Sequence, residues 1–119
     1  MPTEPALVLA EPSGVIRVWN PGAEALFGHR AADAIGQTLD LIVPPEFRER
    51  HWAGFKAAMD AGDGKIDRAA ANLPALHRDG TVMRVAVRLL VLHDARDRVA
   101  GAMAVFVADD ETAPPLPRL

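Results

Sequence analysis

The residue with the most distinctive chemistry is His51, which interrupts an apolar stripe on a predicted helix. The segment 43–62 reads VPPEFRERHWAGFKAAMDAG, with two prolines near its start and a glycine at its end. At helical spacing, four apolar residues share the face of His51: Phe47, Phe55, Ala58 and Met59. An imidazole in such surroundings is either a core histidine bonded to a nearby carbonyl or a ligand.

Several other chemistries are excluded by residue type. The chain has no cysteine, which removes disulfides, thiolate catalysis, cysteine-ligated zinc, covalent haem attachment and a cysteinyl–flavin adduct. No two histidines have the i, i+4 spacing of a helical zinc site, and the loop 60–64 supplies too few oxygen ligands for calcium. Nucleophile and phosphate-loop signatures are also absent, so we expect a protein that is not an enzyme.

Length and composition describe one globular domain. The chain has 119 residues, of which 50% are hydrophobic, enough for a single core. No apolar run reaches the roughly 20 residues that a membrane span needs, and the first residues do not resemble a signal peptide, which favours a cytoplasmic location. A net charge of −3 gives no reason to expect nucleic-acid binding.

The first half of the chain predicts a hairpin followed by short helices. The apolar runs Ala6–Ala10 and Val15–Trp19 flank a Pro/Gly turn, which indicates two antiparallel strands. Asn20 and Pro21 then provide a helix cap and a first helical residue, and Gly28 ends that helix. A further helical turn precedes the helix of His51, on which Arg48, Glu49, Arg50 and Lys56 are expected to form the solvated side.

The second half predicts three strands. Pro74 places the first of them at a sheet edge, because proline cannot donate to a central ladder. The segment 77–80, His-Arg-Asp-Gly, indicates a tight turn, and Thr81–Leu92 alternates apolar residues with Arg84 and Arg88. Val99–Ala108 is apolar on both faces, as in a central strand. The fold class is therefore α+β, with an antiparallel sheet and helices able to enclose a pocket.

This order of motifs resembles the PAS domain family. Residues 14–28, GVIRVWNPGAEALFG, followed by Ile35-Gly36, the turn at 77–80 and the closing Asp110-Glu111-Thr112, carry the resemblance in the family's order. It implies a five-stranded antiparallel sheet with short helices on one face, enclosing a cavity for a small molecule or cofactor. We therefore expect one PAS domain over residues 1–112 and a proline-rich tail over 113–119.

Within that family, the segment 44–51 is similar to the one that carries the proximal histidine of haem-binding PAS domains, as in oxygen-sensor kinases. The resemblance implies haem b held by His51, which suits the chemistry because an axial ligand needs a neutral imidazole on a rigid element facing an apolar cavity. From the helix and the alternation of the late strands, these residues are expected around the haem: Phe47, Phe55, Met59, Ile66, Val85, Val87, Leu89, Met103 and Val105.

One departure bears on the ligand at the iron. Oxygen-sensing relatives carry a distal arginine, and its position falls on Ala71 here, with Arg68 the nearest arginine. Loss of that donor weakens an oxygen-specific role. Carbon monoxide, nitric oxide or a redox change are then alternatives, with one of three methionines as a possible second ligand: Met59, Met83 or Met103.

The expected role is a sensor or signalling module whose haem responds to a diatomic gas or to redox state. If the chain is complete, output is expected through a separate signalling protein or through self-association as a homodimer. The alternative is a PAS module without cofactor, which mediates protein interaction or binds an unknown metabolite. A small haem enzyme such as a peroxidase would need a distal acid–base group, and none is evident.

Overall fold

The computed structural model describes residues 4–61 and 67–109, and these form one five-stranded antiparallel sheet with helices on one face. Five strands and three helices follow one another in this order: β1 Ala6–Ala10, β2 Ile16–Trp19, α1 Pro21–Phe27, α2 Ala31–Ala34, α3 Arg48–Ala61, β3 Asp67–Leu76, β4 Val82–His93 and β5 Val99–Ala108. Two 3-10 turns, Leu39–Ile42 and Pro45–Phe47, precede α3. The predicted α+β class and five-stranded sheet are confirmed.

The sheet has the strand order β2-β1-β5-β4-β3, so β5 is central and β3 lies at an edge, as their compositions predict. Pro74 lies on that edge strand opposite Arg84. A β-bulge between Ala70 and Leu73 places Asn72 at a positive φ of 57°, and its N–H donates to Asp109. A proline and a bulge at an edge discourage pairing with another strand.

Asn20 connects β1 to α1. Its side-chain oxygen accepts from the N–H of Ala23 at 2.9 Å and from the N–H of Leu7 at 2.7 Å, while its amide donates to the carbonyl of Pro5 at 2.9 Å. Pro21 occupies the first turn of the helix, and Gly28 ends it with a φ of 85°. The predicted cap thus also fixes the start of the first strand.

The core lies between the helices and one face of the sheet. Its largest fully buried side chains include Phe27, Ile16, Val8 and Val85. Phe27 packs its ring edge-on against Phe106 of the central strand, with 5.2 Å between ring centroids. Around Phe27 and Phe106 the interior is filled by side chains, whereas the space between α3 and the sheet is not.

Helix α3 is only partly buried. None of its side chains from Arg48 to Asp60 is fully buried. The two turns before it anchor its start: Arg48 donates to the carbonyls of Val43 and Asp40, at 3.1 and 3.3 Å. The predicted helix over 43–62 therefore begins later, because the segment with Pro44 and Pro45 forms a 3-10 turn first. The closing motif and the proline-rich tail lie outside the described residues, so the domain boundary at 112 stays a prediction.

Candidate ligand cavity

A cavity of about 360 Å³ lies between α3 and the sheet, at the low end of the range for small-molecule pockets. Its helix side is formed by five residues of α3: Arg50, His51, Gly54, Phe55 and Ala58. Its sheet side comprises alternate residues of β4 and β5, namely Val85, Val87, Leu89, Ala102, Ala104 and Phe106, together with three residues of the edge strand β3, namely Leu73, Pro74 and Ala75. Val8 and Ala10 of β1 and the turn residues Leu39, Ile42 and Val43 close one end.

His51 lines this cavity, and one of its ring nitrogens is unsatisfied. Its Nδ1 is buried and has no hydrogen-bond partner among the described residues. Burial lowers the pKa of His51 below its usual 6.5, and the carboxylate of Asp40 opposes that shift. The imidazole is therefore neutral at pH 7, the form in which histidine binds a metal. A buried polar atom without a partner is costly in a finished core, so it favours a ligand at this position.

Two aromatic rings hold the imidazole in place. The ring of Phe55 stacks against it, with centroids 6.0 Å apart and 26° between the planes. Trp52 packs edge-on at 5.0 Å and is itself fixed, since its indole N–H donates to Asp40 Oδ1 at 2.7 Å. Asp40 also lies 3.7 Å from the guanidinium of Arg48. Sequence analysis did not identify Asp40, because its part depends on neighbours that only the fold brings together.

Gly54 opens the helix face beside His51. A Cβ built at Gly54 would meet no atom within 4 Å, so the missing side chain leaves open space rather than relieving a clash. Glycine inside a helix costs about 0.5–1 kcal/mol relative to alanine. With Ala58 one turn later, Gly54 keeps this side of the cavity flat.

The predicted site residues separate into four groups, of which Met103 and Val105 form the last. His51, Phe55, Val85, Val87 and Leu89 line the cavity. Phe47 is half-buried and packs against the core, and Met59 is half-buried on α3 outside the lining. Ile66 lies outside the described residues.

Met103 and Val105 were expected to face the cavity, and that expectation is wrong. Ala102, Ala104 and Phe106 line it, and successive strand residues point to opposite faces, so Met103 and Val105 belong to the far side of the sheet. Met103 is thereby removed as a second ligand. Arg50 departs from prediction in the other sense, because it lines the cavity instead of lying wholly on the solvated side.

Any metal at this site would have to arrive within a cofactor. In the described part of the chain, no group of three His, Cys, Asp or Glu side chains could hold a metal ion. A single imidazole suffices only when the other ligands come with the metal, as in haem. Within residues 4–61 and 67–109, no helix combines the length and apolar character that a membrane span requires.

Comparison with known proteins gives the family. The protein-family model described as "PAS fold" matches residues 3–107 of this chain. An uncharacterized protein of Azorhizobium caulinodans is 35% identical over 78 residues, which is 65% of this chain and 11% of that protein. The sensor protein FixL of Bradyrhizobium diazoefficiens is 29% identical over 76 residues (64% of this chain, 15% of FixL). The oxygen sensor protein DosP of Escherichia coli is 24% identical over 74 residues (62% of this chain, 9% of DosP).

Solved structures agree on the fold. The PAS domain of a Colwellia psychrerythraea protein superposes with a TM-score of 0.75 at 24% identity, covering 87% of this chain and 85% of that one. The light-state structure of the Aureochrome1 LOV domain gives a TM-score of 0.73 at 19% identity, covering 92% and 84%. The chain spans less than a sixth of each curated relative above. With its sheet order, helices and family match together, this chain belongs to the PAS family.

Proposed function

We propose that this PAS domain, a sensor and signalling module by family, binds haem b through His51 in the cavity between α3 and the sheet. The observation that carries the proposal is a neutral imidazole that lines an apolar cavity and has a buried Nδ1 without a partner among the described residues. Similarity to FixL and DosP, the latter named an oxygen sensor, gives it further support.

The chain's own residues would perform three tasks for such a cofactor. His51 would supply the axial nitrogen, and Phe55 and Trp52 would fix the plane of its ring. Val85, Val87 and Leu89 would exclude water from one face. Bound haem would supply an iron able to take a diatomic gas or change oxidation state.

Room for the macrocycle requires movement. A porphyrin is larger than the present cavity of about 360 Å³. None of the side chains of α3 from Arg48 to Asp60 is fully buried, so an outward shift of the helix would uncover no fully buried side chain of that segment. Ligand binding would then be coupled to a displacement of α3, which is what a sensor needs to change its output.

A hemin titration followed by visible absorption tests the proposal. We expect a saturable Soret band in the wild type, its loss in His51→Ala, and partial recovery when free imidazole is added to that variant. His93→Ala serves as the control, because His93 lies at the end of β4 and is not one of the described cavity residues. Equal bands in all three proteins would show that hemin binds elsewhere.

A second candidate is a PAS module without haem that binds a small apolar metabolite. The size of the cavity favours it, since about 360 Å³ holds a small metabolite without any movement of α3. The absence of a Soret band in the wild type would decide for this candidate. In either case we propose a sensory rather than catalytic role, and a cytoplasmic location remains a prediction.

For output we propose a homodimer formed through the sheet face turned away from the cavity. Strand alternation assigns apolar residues to that face, and five of them are partly exposed: Leu7, Leu9, Leu90, Leu92 and Met103. Sedimentation velocity on the wild type and Leu9→Asp tests this. A wild-type protein that stays monomeric at every concentration would leave output to a separate signalling protein.

A further inference from the structure

The wall of the cavity carries one permanent charge. Of the described residues that line it, Arg50 is the one with a charged side chain at neutral pH, since His51 is neutral there. Arg50 is both exposed and part of the lining, so this residue lies where the cavity meets solvent. The remaining lining residues are almost all apolar, and no carboxylate is among them.

Among the described residues, the guanidinium of Arg50 also lacks a counter-ion. Within the described residues it makes no hydrogen bond or ion pair, whereas nearby Arg48 is engaged by Asp40 and by the carbonyl of Val43. Lys56, further along α3, faces Asp60 at 3.3 Å. Arg50 is thus a free donor at the rim of an apolar space, with several N–H groups suited to a carboxylate.

We propose that the ligand of this cavity is an apolar molecule bearing a carboxylate, with the carboxylate bound by Arg50 at the rim and the apolar body inside beside His51. This rests on the proposed ligand-binding function and adds the chemical class of the ligand. The propionates of haem belong to this class, and so does the head group of a medium-chain fatty acid. The guanidinium and the carboxylate form a charge-assisted pair that the ester or alcohol analogue cannot make.

Matched probe pairs test the inference. Hemin is compared with hemin dimethyl ester by absorption, and dodecanoic acid with dodecan-1-ol by calorimetry, each against wild type, Arg50→Gln and Lys56→Gln. The Lys56 variant removes the same charge from the solvated side of α3. It therefore separates the effect of losing the charge at position 50 from the effect of a lower net charge. Arg50→Lys keeps the charge without the guanidinium fork.

We expect wild type to prefer the acid over its neutral partner by about tenfold, the range for a hydrogen bond to a charged group. Arg50→Gln should abolish that preference, Lys56→Gln should keep it, and Arg50→Lys should keep part of it. The preference should shrink at high salt, because the pair is partly solvated.

Different failures have different meanings. If hemin and its ester bind equally well to wild type and Arg50→Gln, the carboxylate inference falls while the haem proposal stands. If dodecanoic acid binds and hemin does not, and Arg50→Gln lowers the affinity for dodecanoic acid, the haem proposal is refuted and the carboxylate inference stands. If neither acid binds, or if Lys56→Gln loses the preference as fully as Arg50→Gln does, the inference is overturned.

Discussion

Replacing Gly54 with alanine should stabilise the free protein and weaken its ligand complex. Gly54 lies within α3, and a methyl group there would meet no protein atom within 4 Å. The substitution therefore adds helix propensity without a clash, which raises the free energy of unfolding by about 0.5–1 kcal/mol. For a domain of this size that is an increase in Tm of about 2–4 °C.

The same methyl group would project into the space where the ligand is proposed to lie. Crowding a filled site by one methyl group costs about 1–3 kcal/mol, so Kd for hemin should rise at least about fivefold. The two effects have opposite signs, which a general loss of folding cannot imitate. Thermal unfolding without ligand and a hemin titration, both on the same preparation, measure them.

Ala57→Gly is the matched control. Ala57 is exposed on α3 and is not one of the described cavity residues, so its replacement should lower Tm by a similar amount and leave Kd unchanged. A Gly54→Ala protein with a higher Tm and an unaltered Kd would refute the position of the ligand against α3. A lower Tm would refute the open space at Gly54.

Three other substitutions test separate parts of the structure. Asn20→Ala removes a helix cap and two bonds to β1 and its lead-in, so urea unfolding should show a loss of about 2–3 kcal/mol; a loss below about 1 kcal/mol would contradict that role. Gly14→Ala should cost at least about 2 kcal/mol, because φ is +88° and the new Cβ would lie 2.3 Å from Trp52; near-neutral stability would contradict this packing. Burial lowers the pKa of His51, so the unfolded chain binds more protons than the folded chain as the pH falls. The stability that the neutral His51 contributes is therefore present above pH 6.5 and is lost as the pH falls below 6.5. Between pH 7 and 5, His51→Gln should thus lose less stability than wild type. The loss that remains in the variant includes the contribution of His29, whose pKa burial also lowers. Equal slopes of stability against pH in the two proteins would refute the buried state of His51.

Polar residues decided which parts of the site could be predicted. In β4, Arg84 and Arg88 mark one face as polar, so the alternation correctly placed Val85, Val87 and Leu89 toward the cavity. The central strand β5 is apolar on both faces, and a period of two then carries no information about which face is inward. Met103 and Val105 were misplaced for that reason.

The cavity side of α3 was predicted only in part. His51 and Phe55 stood out by type, but Gly54 and Arg50 gave no signal, because an exposed arginine and a helical glycine are unremarkable in a sequence. The bulge before Leu73 shifts the register of β3, and within it the N–H of Asn72 donates to Asp109, which lies 37 positions away in the chain. Pairing at such separation leaves no local pattern.

The contact between Trp52 and Gly14 joins α3 to the turn of the first hairpin. The indole lies so close to the bare Cα of Gly14 that no side chain fits between them, and the carbonyl of Gly14 accepts from the N–H of Leu39 at 3.1 Å. An outward displacement of α3 must therefore either break the contact between the Trp52 indole and Gly14 or move the turn between β1 and β2 together with the helix. Because β2 is an edge strand of the sheet, a displacement of α3 beside His51 can be transmitted to that edge through Trp52 alone.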